Sequence, residues 1–421
     1  MHVIIKLAAN GFDVDGPTAG GLSAWRSRLP TQQGSHMHGL SVVDHLGDQL
    51  ARLARVLGIE PSTPVDLLAG LLGTHGSRPM SEPPPWPSDV ADDHSPVEFS
   101  VAFQENTPPS LRILAEALGA PTGLRSNMSA AYAFLDAQAE RFGLSMDRLN
   151  TVRDLFATEH PQGDFSLWCS LVFRADRRPE FKVYFNPELD GVQRAPELVA
   201  EALDRLGLGT SYRTMLRRAV RPGELGGLDR LAFFALDLHD GPQARVKVYL
   251  SHHETEAWHV AGAAAMVDGV DATEVAEFCA LAGRTDRFDG RPLVGSYTLT
   301  EGGHKPVGYS IYVPIRSYVR DDLQARDRVQ ALLSRYGFDT GLLHRAIDAV
   351  TRRPLADGVG LIPHVSLRLG PPRPGVTVYL SAEAYQVCPP RSPWAPAVGV
   401  PRQPERPSSV LQPAGNVELT H

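Results

Sequence analysis

Arg245-Val246-Lys247-Val248-Tyr249-Leu250 alternates cation, apolar, cation, apolar, aromatic, apolar. In a strand, successive side chains point to opposite faces. Arg245, Lys247 and Tyr249 therefore share one face, and Val246, Val248 and Leu250 the other. Phe181-Lys182-Val183-Tyr184-Phe185 puts Lys182 and Tyr184 together in the same way. Ser310-Ile311-Tyr312-Val313 repeats the tyrosine, and Val376-Thr377-Val378-Tyr379-Leu380 repeats it again. The four tyrosines recur about every 65 residues, the mark of a repeated supersecondary unit. A general preference of aromatic and β-branched residues for strands accounts for one such segment. It does not account for four in phase, two with lysine at the same offset. The apolar faces are ordinary core, but cations side by side repel and are costly to bury. An anion held between them is the economical explanation.

Between and around these strands the pattern switches period. From Ser41, the positions Val42, Val43, Leu46, Leu50, Leu53 and Leu57 recur at helical spacing. A Pro-rich loop follows over 79–96. Val97 to Phe103 returns to period two, with Val97, Phe99, Val101 and Phe103 on one face and Glu98, Ser100 and Ala102 on the other. Glu98 is then either a solvated edge acid or a lone functional carboxylate. The polar faces of the later repeats gather around an anion, which favours the second. After Pro108-Pro109 a helix is expected, with Ser110 as its N-cap and Arg112 in its first turn. Helices are expected over 127–158 and 195–218 and from Glu254 to Met266. Further strands are expected over Phe165–Phe173, Leu231–Leu238, Leu293–Thr300, Tyr309–Ile315, His364–Leu369 and Val376–Ser381.

These make five units of two strands with flanking helices, an α+β chain of about ten antiparallel strands. If the helices cover the sheet outside, the valine and phenylalanine face must meet them. The Glu, Lys, Arg and Tyr face then lines the interior. Eight strands close into a barrel that side chains just fill; ten leave a wide, polar, solvent-containing lumen.

Composition adds bounds. The chain has 421 residues, 43% hydrophobic and 21% charged, which gives ample core. A net charge of −7 offers no reason to expect nucleic acid or an anionic membrane as partner. No apolar run approaches the roughly 20 residues of a membrane helix. Cys169, Cys279 and Cys388 lack pair or CxxC spacing, which suits a reducing cytoplasm and no metal site. Residues 1–37, ending Gly34-Ser35-His36-Met37, read as a flexible N-terminal extension or a cloning scar. The barrel takes 38–388, and 389–421 form a Pro-rich tail expected to be disordered.

Lys182, Arg245 and Lys247, with Arg112 and Arg368, give a cation count that suits a diphosphate, which arginine clamps bidentately and lysine as a point charge. Tyr184, Tyr249, Tyr312 and Tyr379 present π faces worth about 0.5–2 kcal/mol each to a carbocation, and they would keep water from it. Cations for a leaving diphosphate and aromatics for what it leaves behind describe prenyl transfer. Asp92-Asp93 and Asp321-Asp322 lack the third acid of a DDxxD segment, so magnesium is not required to hold the diphosphate. A phosphatase-like hydrolase would want a metal cluster or nucleophile, and no HxxxH, GxSxG or CxxxxxR pattern stands out. A non-catalytic barrel carrying an anionic amphiphile would need the cations but has no use for the tyrosines.

Pro96-Val97-Glu98-Phe99-Ser100, Lys182-Val-Tyr184-Phe-Asn-Pro187, Arg245-Val-Lys247-Val-Tyr249 and Tyr379 together resemble the dimethylallyl tryptophan synthase family of aromatic prenyltransferases, over roughly residues 40–388. The resemblance implies a ten-stranded antiparallel β/α prenyltransferase barrel of five ααββ repeats, with helices outside and a solvent-filled lumen. It implies that Glu98 accepts the indole N–H, that Arg112, Lys182, Arg245 and Lys247 bind diphosphate, and that the tyrosines shield the dimethylallyl cation. Short strands resemble the bacterial branch, many of whose members prenylate free L-tryptophan, often on the benzene ring at C6 or C5. The implied partners are dimethylallyl diphosphate and L-tryptophan or a related indole, with no cofactor, for a monomer or homodimer. A tryptophan-containing cyclic dipeptide, an indolactam, a tyrosine or a phenol stays open as acceptor. Two departures stand out. Ser310 replaces the glutamine of a Gln-x-Tyr, and the strand Phe165–Phe173 carries no lysine where some members place a re-aromatising base.

Overall fold

Alternation at period two builds hairpins, and hairpins joined in sequence build the molecule. A computed structural model describes residues 39–241, 244–370 and 374–392. The expected N-terminal extension, and the tail from 393 onward, lie outside the described residues. Ten strands form one sheet: β1 (Val97–Gln104), β2 (Thr107–Ala115), β3 (Leu167–Phe173), β4 (Glu180–Phe185), β5 (Asp229–Asp237), β6 (Val246–His252), β7 (Leu293–Leu299), β8 (Gly308–Val313), β9 (Val365–Leu369) and β10 (Gly375–Ser381). Each pairs antiparallel with the next. β10 pairs back onto β1, with Ser381 opposite Glu98 and Tyr379 opposite Ser100. Closure leaves no exposed sheet edge.

A helix pair precedes every hairpin: α1 (Val42–Val56) and α2 (Ser62–Leu72), α3 (Leu124–Phe142) and α4 (Asp147–Val152), α5 (Ala195–Arg205) and α6 (Gly209–Ala219), α7 (Ala257–Ala264) and α8 (Ala272–Gly283), α9 (Asp322–Arg335) and α10 (Thr340–Val350). The fold is five ααββ units in a ring, as the repeat spacing predicts. No helix among the described residues is long and apolar enough to cross a membrane.

Ser41 starts α1 as a capping box with Asp44, and the stripe Leu46, Leu50 and Leu53 is fully buried. Gln49 lies on the same buried face. Its amide donates to the Val350 carbonyl at 3.0 Å and the Ala382 carbonyl at 2.9 Å. The first helix is thereby tied to the last helix and to the end of β10, closing the outer ring where the sheet also closes. Between helices and sheet runs one continuous core that includes Phe99, Ile113, Leu171, Val183, Phe185 and Val248. These are the outward faces of the alternating strands. Each such side chain contributes about 1.5–3 kcal/mol on burial.

Two expectations are corrected. Residues 107–115 form a strand, not a helix from Ser110. Leu111, Ile113 and Ala115 are buried on one face at period two, and pairing with both β1 and β3 satisfies the backbone. Asn106, at φ 53°, makes the tight turn from β1. The helix expected from Glu254 begins at Ala257 instead, because Thr255–Glu256 pairs with Arg287–Phe288 in a small separate sheet.

Inside the barrel lies a second, smaller apolar cluster. Phe165, Trp168, Phe233, Tyr249, Tyr312 and Tyr379 form it with Val90, contributed by the Pro-rich loop. That loop does more than connect: it inserts a side chain into the lumen.

Candidate active site

Register places the polar faces inward. Opposite partners across the sheet run Arg112 to Ser100, Lys182 to Ser170 and Asp237, Lys247 to Ala235 and Thr298, Ser310 to Ser296 and Arg368, and Tyr379 to Ser100. A cavity of about 420 Å³ is lined by all five expected cations, Arg112, Lys182, Arg245, Lys247 and Arg368, and by all four expected tyrosines, Tyr184, Tyr249, Tyr312 and Tyr379. Gly375 stands opposite Arg368. A Cβ there would lie 3.0 Å from the Phe103 carbonyl oxygen and 3.3 Å from Gln104 Cγ, so the close approach of β1 favours glycine at this point of the wall.

The structure adds one residue that the sequence reading missed. Asp237, at the end of β5 and buried, holds Lys182 Nζ at 2.6 Å on one carboxylate oxygen and Arg245 Nε at 2.8 Å on the other. Its signal was available: Phe233, Ala235 and Asp237 share the inward face of β5, so the same alternation that exposed Lys182 points to it. Arg174 and Glu180, paired at the rim, and His239 also line the cavity.

The cations strain against one another. Burial lowers Lys182 to about 8, with the Arg245 charge adding to the shift. Burial, then Arg245 and Lys182, push Lys247 well below the usual lysine range. Burial, then Arg112 and Arg245, lower Arg368 to about 10. Arg112 Nε is buried with no hydrogen-bond partner among the described residues. A multivalent anion entering this space would relieve every one of these penalties.

Two residues further along the same strands the wall becomes aromatic. Ring centroids lie 5.8 Å apart for Tyr184 and Tyr249, 5.9 Å for Tyr249 and Tyr312, and 6.2 Å for Tyr312 and Tyr379. Tyr249 donates to the Tyr184 phenol at 3.5 Å. Burial pushes Tyr184 up to about 12 and raises Tyr249 and Tyr379 well above the usual phenol range, so these phenols stay neutral. Phe233 meets Tyr249 edge-on at 5.6 Å, and Trp168 stacks on Phe165 at 4.0 Å. Phe165, Trp168 and Phe233 extend the belt beyond the four expected tyrosines. Trp168 and Phe233 were legible from the period of β3 and β5.

Glu98 sits one pleat deeper than Ser100 on the inward face of β1, opposite Leu114 and Ser381. It is 1% exposed, and burial raises its carboxyl to about 8. It is therefore no solvated edge acid. Ser310 lines the cavity at the position of the missing glutamine. The inward face of β3 carries Trp168, Ser170 and Val172, so no lysine base stands there. Among the described residues, no group of three His, Cys, Asp or Glu side chains is placed to hold a metal ion.

A family model described as tryptophan dimethylallyltransferase matches residues 66–343. The solved 6-dimethylallyltryptophan synthase from Micromonospora olivasterospora, in complex with DMASPP and Trp, is 70% identical over 84% of this chain and 100% of that one, with a TM-score of 0.82. The prenyltransferase PriB, in a ternary complex with L-tryptophan and dimethylallyl thiolodiphosphate, is 38% identical over 83% of this chain and 99% of its own, with a TM-score of 0.78. The 5-dimethylallyl tryptophan synthase from Streptomyces coelicolor, in complex with DMASPP and Trp, is 36% identical over 85% and 99%, with a TM-score of 0.77.

Proposed function

The chain belongs to the tryptophan dimethylallyltransferase family, and from that premise we propose that it transfers the dimethylallyl group of dimethylallyl diphosphate to C6 of the indole of L-tryptophan. One observation carries the reading: five cations and four tyrosines from different strands line a single cavity. The cations suit a diphosphate, the tyrosines the carbocation it leaves. The choice of C6 over C5 is supported by the 70% identity to a protein named for position six, against 36% to one named for position five.

In this reading Arg112, Lys182, Arg245, Lys247 and Arg368 bind the diphosphate and take up the charge that develops as the carbon–oxygen bond breaks. The electron pair leaves with the diphosphate oxygen. The dimethylallyl cation is held against the faces of Tyr184, Tyr249, Tyr312 and Tyr379, which stabilise it and exclude water. Glu98 accepts the indole N–H, which fixes the ring and raises its electron density. The ring attacks, a carbon–carbon bond forms, and the proton on that carbon is lost to restore aromaticity. Protein cations take the part of a metal, so the reaction needs none.

The test is incubation of the protein with dimethylallyl diphosphate and L-tryptophan in EDTA. The expected product is heavier by one C5H8 group and lacks the C6 proton signal in its NMR spectrum. Turnover only after magnesium is restored would sink the cation clamp. Substitution at C5 would overturn the regiochemistry and leave the rest standing.

A further inference from the structure

Five cations converge on the cavity, and a single buried carboxylate, that of Asp237, touches two of them. Its oxygens divide the work: one meets Lys182 Nζ at 2.6 Å, the other meets Arg245 Nε at 2.8 Å. The second oxygen also accepts the Arg245 backbone N–H at 3.2 Å, and the Asp237 N–H donates to the Arg245 carbonyl at 3.0 Å. Asp237 is 4% exposed, whereas the Arg245 side chain is 35% exposed. An aspartate so fixed by its own backbone is a rigid anchor for two flexible cations.

We propose that Asp237 is the positioning residue of the donor site: its carboxylate keeps Lys182 and Arg245 aimed into the cavity and holds their charges together before the donor binds. The inference rests on the diphosphate reading of this cavity given above. Without a counter-ion, charges this close would swing apart or, for lysine, shed a proton. Arg245, beside Asp237, is raised above the ordinary arginine value and keeps its proton, so the burden falls on Lys182 and Lys247. Asp237 opposes the loss of charge on both. The other titratable groups lining the cavity are Arg112 from β2, Arg174 just past β3, Glu180 and Tyr184 from β4, His239 just past β5, Arg245 and Tyr249 with β6, Tyr312 from β8, Arg368 from β9 and Tyr379 from β10. Four of these are arginines, and His239 Nε2 lies 3.5 Å from the same Asp237 carboxylate. Glu180 is engaged by Arg174. Among the described residues, Asp237 is thus the carboxylate that touches both Lys182 and Arg245.

The experiment compares wild type, Asp237→Asn and Asp237→Glu, measuring kcat/KM for dimethylallyl diphosphate from pH 6 to 10 at saturating tryptophan. For Asp237→Asn the alkaline limb is expected to move down by about one pH unit, with about tenfold lower kcat/KM at pH 8.5. At pH 6, well below the value near 8 at which Lys182 titrates, the difference should shrink to within about twofold. KM for tryptophan should not move. Asp237→Glu keeps the charge and should keep the limb, with a raised donor KM from the displaced anchor. An unmoved limb in Asp237→Asn overturns the proposal, as does an equal fall at every pH, which marks a merely structural residue. Should Asp237→Asn fail to fold, a displaced limb in Asp237→Glu overturns it and a limb kept in place supports it. Calorimetric titration of the wild type with inorganic diphosphate separates the two readings. No binding there removes the donor site itself; binding with an unmoved limb removes only the role of Asp237.

Discussion

The two halves of the lumen differ in how they are held. On β4 and β6 the cations Lys182 and Lys247 are followed two residues later by Tyr184 and Tyr249, a displacement of roughly 7 Å along each strand. The charged half reaches solvent, with the Arg245 side chain 35% exposed. The aromatic half is more enclosed, with Tyr249 1% exposed and packed against Phe233, Tyr312 and the half-buried Tyr184. One half is a set of repelling charges that becomes favourable only when an anion enters. The other is a packed apolar cluster already. In the proposed reaction that difference separates the chemistry by depth: leaving group at the open end, reactive carbon at the closed one, with Glu98 on the inward face of β1 beyond.

The strongest break of that comparison is Glu98→Gln. Turnover should fall roughly 10²–10⁴-fold, the range for a positioned acid–base group, with the fold retained by circular dichroism. Burial raises the Glu98 carboxyl to about 8, above its unfolded value. Its ionisation therefore opposes folding as pH rises through that range. The melting temperature of the variant should exceed that of wild type at pH 9 and converge with it near pH 4. Full activity in Glu98→Gln would return the residue to a packing role.

Lys247→Ala attacks the charged half alone. Binding of inorganic diphosphate should weaken by about 1.5–3 kcal/mol, the scale of a hydrogen bond to a charged group, while KM for tryptophan holds. Unchanged diphosphate binding by calorimetry would show that the anion sits elsewhere.

The pH profile tests both halves at once. The proposed reaction needs Glu98 as carboxylate, which gives a rising limb through about 8. It needs Lys182 as ammonium, which gives a falling limb from about 8. A narrow bell in kcat/KM centred near pH 8 is expected, each limb falling about tenfold per pH unit. A flat profile from pH 6 to 10 would contradict both assignments.

Tyr249→Ala is the subtlest change, because it leaves the cations in place and opens the aromatic wall. Water should then reach the dimethylallyl cation. The ratio of diphosphate released to prenylated tryptophan, near one in wild type, should rise. If both rates fall together at an unchanged ratio, Tyr249 packs the barrel without shielding a cation.

Much of the site was legible because alternation is a local property. The pleat forces Lys182 and Tyr184, or Lys247 and Tyr249, onto one face whatever else the chain does. Arg112 was read on the right side of the chemistry but on the wrong element. Its segment follows two prolines and a serine that mimic a helix start, and only pairing with β1 and β3 makes it a strand. Alternation along β5 puts Asp237 on the inward face, but that it meets Lys182, 55 positions earlier in the chain, depends on register, which is not written in either segment alone.

The sequence by itself therefore determined the five-fold repeat, the inward and outward faces of the strands, and the chemical character of the lumen. Those follow from a period of two and from the cost of burying like charges unpaired. Only the tertiary structure decided that β10 closes onto β1 and brings Tyr379 beside Ser100, that Val90 from a proline-rich loop enters the lumen, and that Asp237 anchors the cations. Each of these is a contact between segments far apart in the chain. The closure entropy of such loops must be recovered from packing summed over the whole ring, and no short stretch of residues encodes that sum.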